Sequence, residues 1–166
     1  IRFGWFLSLF SWITMAIIVS ILSFMMDPGN WNTHKSLLNG FTNPIYLPQL
    51  LFRTPTAMLV AGSFGMMLVT LFFKKGTELR LKAVKYVSKW IILWAPISLL
   101  GAVIYYNAIP EAMTANMSTA VGTMDFNKYY DLMKYFILFG ISSSVIMAVM
   151  GLYKAKWIKS YFVLFT

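Results

Sequence analysis

Four apolar runs, each near the ~20 residues that a helix needs to cross a bilayer, constrain this chain more than any motif does. They lie at about 5–26, 56–73, 86–109 and 132–153. Hydrocarbon gives backbone N–H and C=O groups no partner, so each run must satisfy its own backbone as a helix. The expected fold is all-α: a polytopic transmembrane helix bundle of four spans, forming a single membrane domain over 1–166. Composition agrees, with 59% apolar and 11% charged residues and a mean hydropathy of +0.69. Arg2 is followed at once by a run too long for the apolar region of a signal peptide. The tail YFVLFT turns apolar again, so the chain is expected to be a piece of a longer membrane subunit.

The net charge of +9 suggests a polyanionic partner until the cations are placed. Lys74, Lys75, Arg80, Lys82, Lys85 and Lys89 crowd the second connection, against Glu78 alone. Loops rich in Lys and Arg stay in the cytoplasm, which makes 74–85 the cytoplasmic loop and 27–48 and 110–130 the external ones. With alternating spans, Arg2, Lys154, Lys156 and Lys159 fall on the same side, so both ends of the chain are cytoplasmic. Ten of the fourteen cations then lie inside. Charge therefore reports topology, and the expected contact is membrane lipid, with no nucleic acid.

Local chemistry narrows the reading. The absence of Cys excludes disulfides, thiolate metal sites and c-type haem attachment, and the single histidine, His34, excludes a bis-His haem built from this chain alone. Asp27-Pro28-Gly29-Asn30 ends the first helix, and Trp31 suits an interfacial anchor. The Asn43-Pro44 and Leu47-Pro48 steps bias the backbone away from helix until the second span begins. Gly62, Ser63 and Gly65 give that span a small face for close intramolecular packing, or a groove for a lipid or quinone. Arg53 is the odd member. A guanidinium inside an apolar run must reach the interface, a counter-ion or an acid group of a cofactor.

Over 23–150, the order of Trp31, Asn43-Pro44, LLFRTPTAMLVAG, the basic turn FFKKGTELRLKAVKY and Tyr130-Asp131-Leu132-Met133 resembles the central helices of subunit I of the cytochrome bd quinol oxidases. The resemblance implies a membrane subunit of a respiratory electron-transfer complex in a bacterial or archaeal inner membrane. Its partners would be other respiratory subunits, cytochromes among them, and quinol. In the family a His at the start of the second of these helices and a Met at the start of a later one ligate a b haem. Met133 matches the Met, and Arg53 stands where the His should be. Asp131 stands near a family Arg, and the family's long quinol-binding loop shrinks to about 110–128.

These departures give the site expectations. Arg53 and Asp131 are expected to form an ion pair that fills a site without its haem. The rival is a haem b or quinone held at Arg53 and Met133, with Arg53 on a propionate, or a haem supplied by partner chains. His34 and Glu111 are candidate proton acceptors for quinol oxidation, because imidazole and carboxylate can take such protons. Oxygen reduction by this chain alone is not expected. Two other functions stand beside the quinol-oxidising subunit. One is a haem-free structural or anchoring subunit of a cytochrome complex; the other, more distant, is a small-solute transporter, for which Pro55 and Pro96 lack charged companions.

Overall fold

The computed structural model describes residues 2–111 and 124–158, and within 124–137 the side chains of 132, 135 and 136. The described elements are α1 (Arg2–Met26), a 3₁₀ turn (Gly29–Asn32), α2 (Leu37–Phe41), α3 (Tyr46–Phe72), α4 (Glu78–Ala108), α5 (Met124–Tyr153) and a second 3₁₀ turn (Ala155–Trp157), with no strand among the described residues. The fold is all-helical. Among the described residues three helices, α1, α3 and α4, are long and apolar enough to cross a membrane, which marks a multi-pass membrane protein. The described apolar part of α5, Leu138–Tyr153, falls short of a full span.

Two helices start earlier than their apolar runs suggest. The second span was expected from 56, but α3 begins at Tyr46. Asn43 caps it: its Oδ1 accepts from the backbone N–H groups of Ile45 at 3.2 Å and Tyr46 at 2.9 Å. Pro44 lies between this cap and the first helical residue, where its missing N–H costs nothing. The loop expected over 27–48 is thus a short folded segment of a 3₁₀ turn and α2. The third span was expected from 86, but α4 begins at Glu78. The Thr77 hydroxyl accepts from the Arg80 N–H at 3.3 Å, and Glu78 pairs with Lys82 one turn on at 2.7 Å. This reduces the connection expected over 74–85 to the few residues between α3 and α4. The loop expected over 110–130 likewise overlaps the start of α5, and 112–123 lies outside the described residues.

The chain divides into two compact units, Ile1–Thr54 with Leu99–Met117, and Pro55–Ser98 with Ser118–Thr166. In the first, α1 buries one stripe, Ala16, Val19, Ser20 and Ser23, while Phe3, Trp5, Phe10, Ile17 and Ile18 are exposed. The Ser20 and Ser23 hydroxyls donate back to the carbonyls of Ile17 and Ser20, both at 2.9 Å. That local bond lets a small polar residue face protein without an orphaned hydroxyl.

In the second unit Leu59 and Met66 of α3, Val84, Ile91 and Ala95 of α4, and Met147 and Ala148 of α5 form one cluster, closed by Ala155 and Ile158. Small and hydroxyl side chains set how closely the backbones approach. A Cβ at Gly62 would lie 2.9 Å from both Trp90 and Ile91 side-chain carbons, and the Trp90 indole N–H donates to the Met58 carbonyl at 2.9 Å. Thr56 bonds Ser98 at 2.7 Å and Ser63 bonds Ser144 at 3.3 Å. Packing and such bonds drive helix association where lipid removes the hydrophobic difference. The face of Gly62, Ser63 and Gly65 is therefore taken by α4 and α5, as intramolecular packing requires, and a lipid or quinone has no groove at Gly62.

Candidate functional site

The first two turns of α3 and the segment leading into them gather most of the polar chemistry of the first unit. Asn43 is buried and uses its whole amide. Besides capping α3, its Nδ2 donates to Ser23 Oγ of α1 and to the Gly40 carbonyl, both at 3.0 Å. The turn after α1 closes on the same point. Gly29 takes a φ of +55°, its N–H donates to Asp27 Oδ1 at 2.8 Å, and a Cβ there would lie 3.1 Å from Pro44 Cδ. Trp31 packs edge-on against Phe24, with ring centroids 5.6 Å apart. The indole expected as an interfacial anchor is thus half-buried against α1. Beside it, an almost wholly apolar cleft of about 220 Å³ lies between α1 and α2, walled by Ile21, Phe24, Trp31, Leu37 and Phe41.

One turn along α3, Gln49 is 2% exposed. Its Nε2 donates to the Tyr105 hydroxyl of α4 at 3.3 Å, and that hydroxyl donates to Met26 Sδ at 3.8 Å. The Tyr105 ring stacks on Phe52, 5.7 Å between centroids and 9° from parallel. Gln49 Oε1 is buried without a partner among the described residues, which costs about 1–3 kcal/mol unless a donor reaches it. A second open acceptor lies nearby. Pro55 has no N–H, so the Leu51 carbonyl lacks its helical donor. Gly101 of α4 meets that carbonyl so closely that a Cβ would stand 2.5 Å from it. A Cα–H contact on the open carbonyl accounts for a glycine there.

Arg53 lies outside this polar row. It is exposed, on a stripe of α3 that continues through Ala57, Val60, Phe64 and Leu68, all exposed. Gln49, Leu59, Gly62 and Met66 form the buried side of the same helix. Arg53 therefore points to the surroundings of the chain rather than to its packed face, and it makes no ion pair among the described residues. The side chains of Asp131 and Met133, on α5, lie outside the described residues, and with them the expected Arg53–Asp131 pair and the Met133 haem ligand. His34 is exposed in the segment before α2, where its carbonyl accepts from Asn39 Nδ2 at 2.9 Å. Glu111 is exposed beyond the end of α4.

Arg53 cannot replace the family's His as a ligand to haem iron. Arginine holds no free lone pair for iron, and this one faces outward. No group of three His, Cys, Asp or Glu side chains able to hold a metal ion occurs among the described residues. Sequence reasoning missed Gln49 and Tyr105. The signal for Gln49 was its place as the one amide in an apolar helical turn, whereas Tyr105 is indistinguishable from a membrane-interface tyrosine until its partners are known. No family model, no curated protein and no solved structure matches the chain.

Proposed function

We propose that this chain is a haem-free structural subunit of a respiratory electron-transfer complex, similar in helix order to the central part of cytochrome bd subunit I. The observation that carries the reading is the outward Arg53. A permanent cation on an otherwise apolar, exposed stripe is costly against lipid, so it favours an anionic group on a neighbour, either a carboxylate of a partner subunit or a haem propionate held by one. The guanidinium presents a planar fork suited to both. Gln49, Tyr105 and Asn43 tie α1, α3 and α4 together, so the stripe is displayed on a fixed helix. In this reading quinol and haem chemistry belong to partner cytochromes, the chain spans a bacterial or archaeal inner membrane with both ends cytoplasmic, and α5 provides the fourth crossing.

The reading is tested by purifying the tagged chain from its native membrane in a mild detergent. Wild type carries haem-bearing subunits with it, Arg53→Lys retains part of them, and Arg53→Leu loses them while the chain itself keeps its helical content. Equal recovery of partners with Arg53→Leu contradicts the role given to Arg53.

A further inference from the structure

At the other end of α3 and α4 the second unit holds a cationic site that the respiratory reading does not use. Arg80, in the first turn of α4, is 4% exposed. Its Nη1 donates to the Phe73 carbonyl at 3.3 Å and its Nη2 to the Ile158 carbonyl at 3.1 Å. These bonds tie the end of α3 to the segment after α5, yet they leave the charge itself without a carboxylate among the described residues. Two adjoining clefts open around this clasp. One, of about 350 Å³, is walled by Lys85, Tyr153, Lys154 and Trp157; the other, of about 200 Å³, by Lys75, Gly76, Arg80 and Ile158. Leu81, Ala155 and Lys156 line both. The Lys154 ammonium sits 4.5 Å from the centre of the Trp157 ring, which orders it at the mouth. Glu78, the nearest acid in sequence, is paired with Lys82 and lines neither cleft.

We infer that the paired clefts bind the phosphate headgroup of an anionic phospholipid. Five cations converge there, and the floor of Leu81, Ala155 and Ile158 is apolar. A free phosphate would have no use for that floor, whereas the glycerol and first acyl carbons of a lipid would cover it. The site lies where the apolar helices give way to charged residues, the level at which lipid phosphates sit, and Tyr153 and Trp157 supply the amphipathic rings common there. Arg80 holds the walls in place, and the exposed Lys75, Lys85, Lys154 and Lys156 supply the contacts to the headgroup. The inference stands independently of the respiratory assignment.

The test is native mass spectrometry of the full chain in detergent with phosphatidylglycerol, cardiolipin or phosphatidylcholine added, and separately with inorganic phosphate. Both anionic lipids are expected to stay bound at activation energies that strip phosphatidylcholine. The Lys154→Gln/Lys156→Gln double variant should bind them roughly tenfold more weakly. Lys35→Gln, which lines neither cleft, should change nothing. Equal retention of phosphatidylcholine, or unchanged binding in the double variant, overturns the assignment. Displacement of the lipid by an equal concentration of inorganic phosphate also overturns it, by making the site one for a soluble anion.

Discussion

Replacing Gly101 with alanine probes the closest approach of α4 to α3 in the first unit. A Cβ at 101 would lie 2.5 Å from the Leu51 carbonyl oxygen, 2.9 Å from Phe52 Cα and 3.0 Å from the Leu51 carbonyl carbon. All three are backbone atoms, so no rotamer change relieves the overlap. Reaching the 3.4 Å of ordinary contact requires the helices to part by about 0.9 Å, the difference between 3.4 and 2.5 Å. Overpacking of this kind costs about 1–3 kcal/mol, and the better helix propensity of alanine returns up to about 1 kcal/mol. The expected net loss is centred on about 1 kcal/mol. Tyr105 lies one turn beyond Gly101, so the same movement loosens its contacts with Gln49 and Phe52. Unfolding by denaturant in detergent, followed by far-ultraviolet circular dichroism, measures the change in midpoint. Gly4→Ala is the control, because a Cβ there meets nothing within 4 Å. If Gly101→Ala is as stable as wild type, the close approach of α4 to the open Leu51 carbonyl is refuted.

Asn43→Ala removes the cap of α3 and the bonds to Ser23 and Gly40 together, and should lower stability by about 2 kcal/mol in the same assay. A loss below about 0.5 kcal/mol would mean that Pro44 alone starts the helix. Gln49→Leu deletes the unpartnered Oε1 along with the bond to Tyr105, whose hydroxyl keeps Met26. It should stay within about 1 kcal/mol of wild type, and a loss above about 2 kcal/mol would show that the amide is satisfied after all.

Run length and hydropathy made the three long helices legible, but not where they begin. Asn43-Pro44 read as a bias away from helix, and that bias is correct for Asn43 alone. Asn43 lies outside the helix as its cap, and the proline after it does not delay the start at Tyr46. The basic run from Lys74 to Lys89 read as a turn because charge stops a membrane span. A helix can nevertheless extend past the hydrocarbon into water, where Glu78 and Lys82 support it. Gly62 and Ser63 were legible because small residues in a spanning helix mark where another backbone comes close. The outward direction of Arg53 was not. In a membrane the lipid-facing and protein-facing sides of a helix are both apolar, so the 3.6-residue pattern that separates inside from outside in water is nearly erased. The Gln49–Tyr105 contact joins residues 56 positions apart and depends on how α3 and α4 pack.

The haem content of the chain purified alone tests the central claim most directly. A dithionite-reduced minus oxidised spectrum, with haem quantified against protein, should show no stoichiometric b-type absorption. In the intact complex the haem bands should be unchanged by Met133→Leu, because they belong to partner subunits. One haem per isolated chain, lost on Met133→Leu, would contradict the account and return Arg53 and Met133 to the haem site of the family.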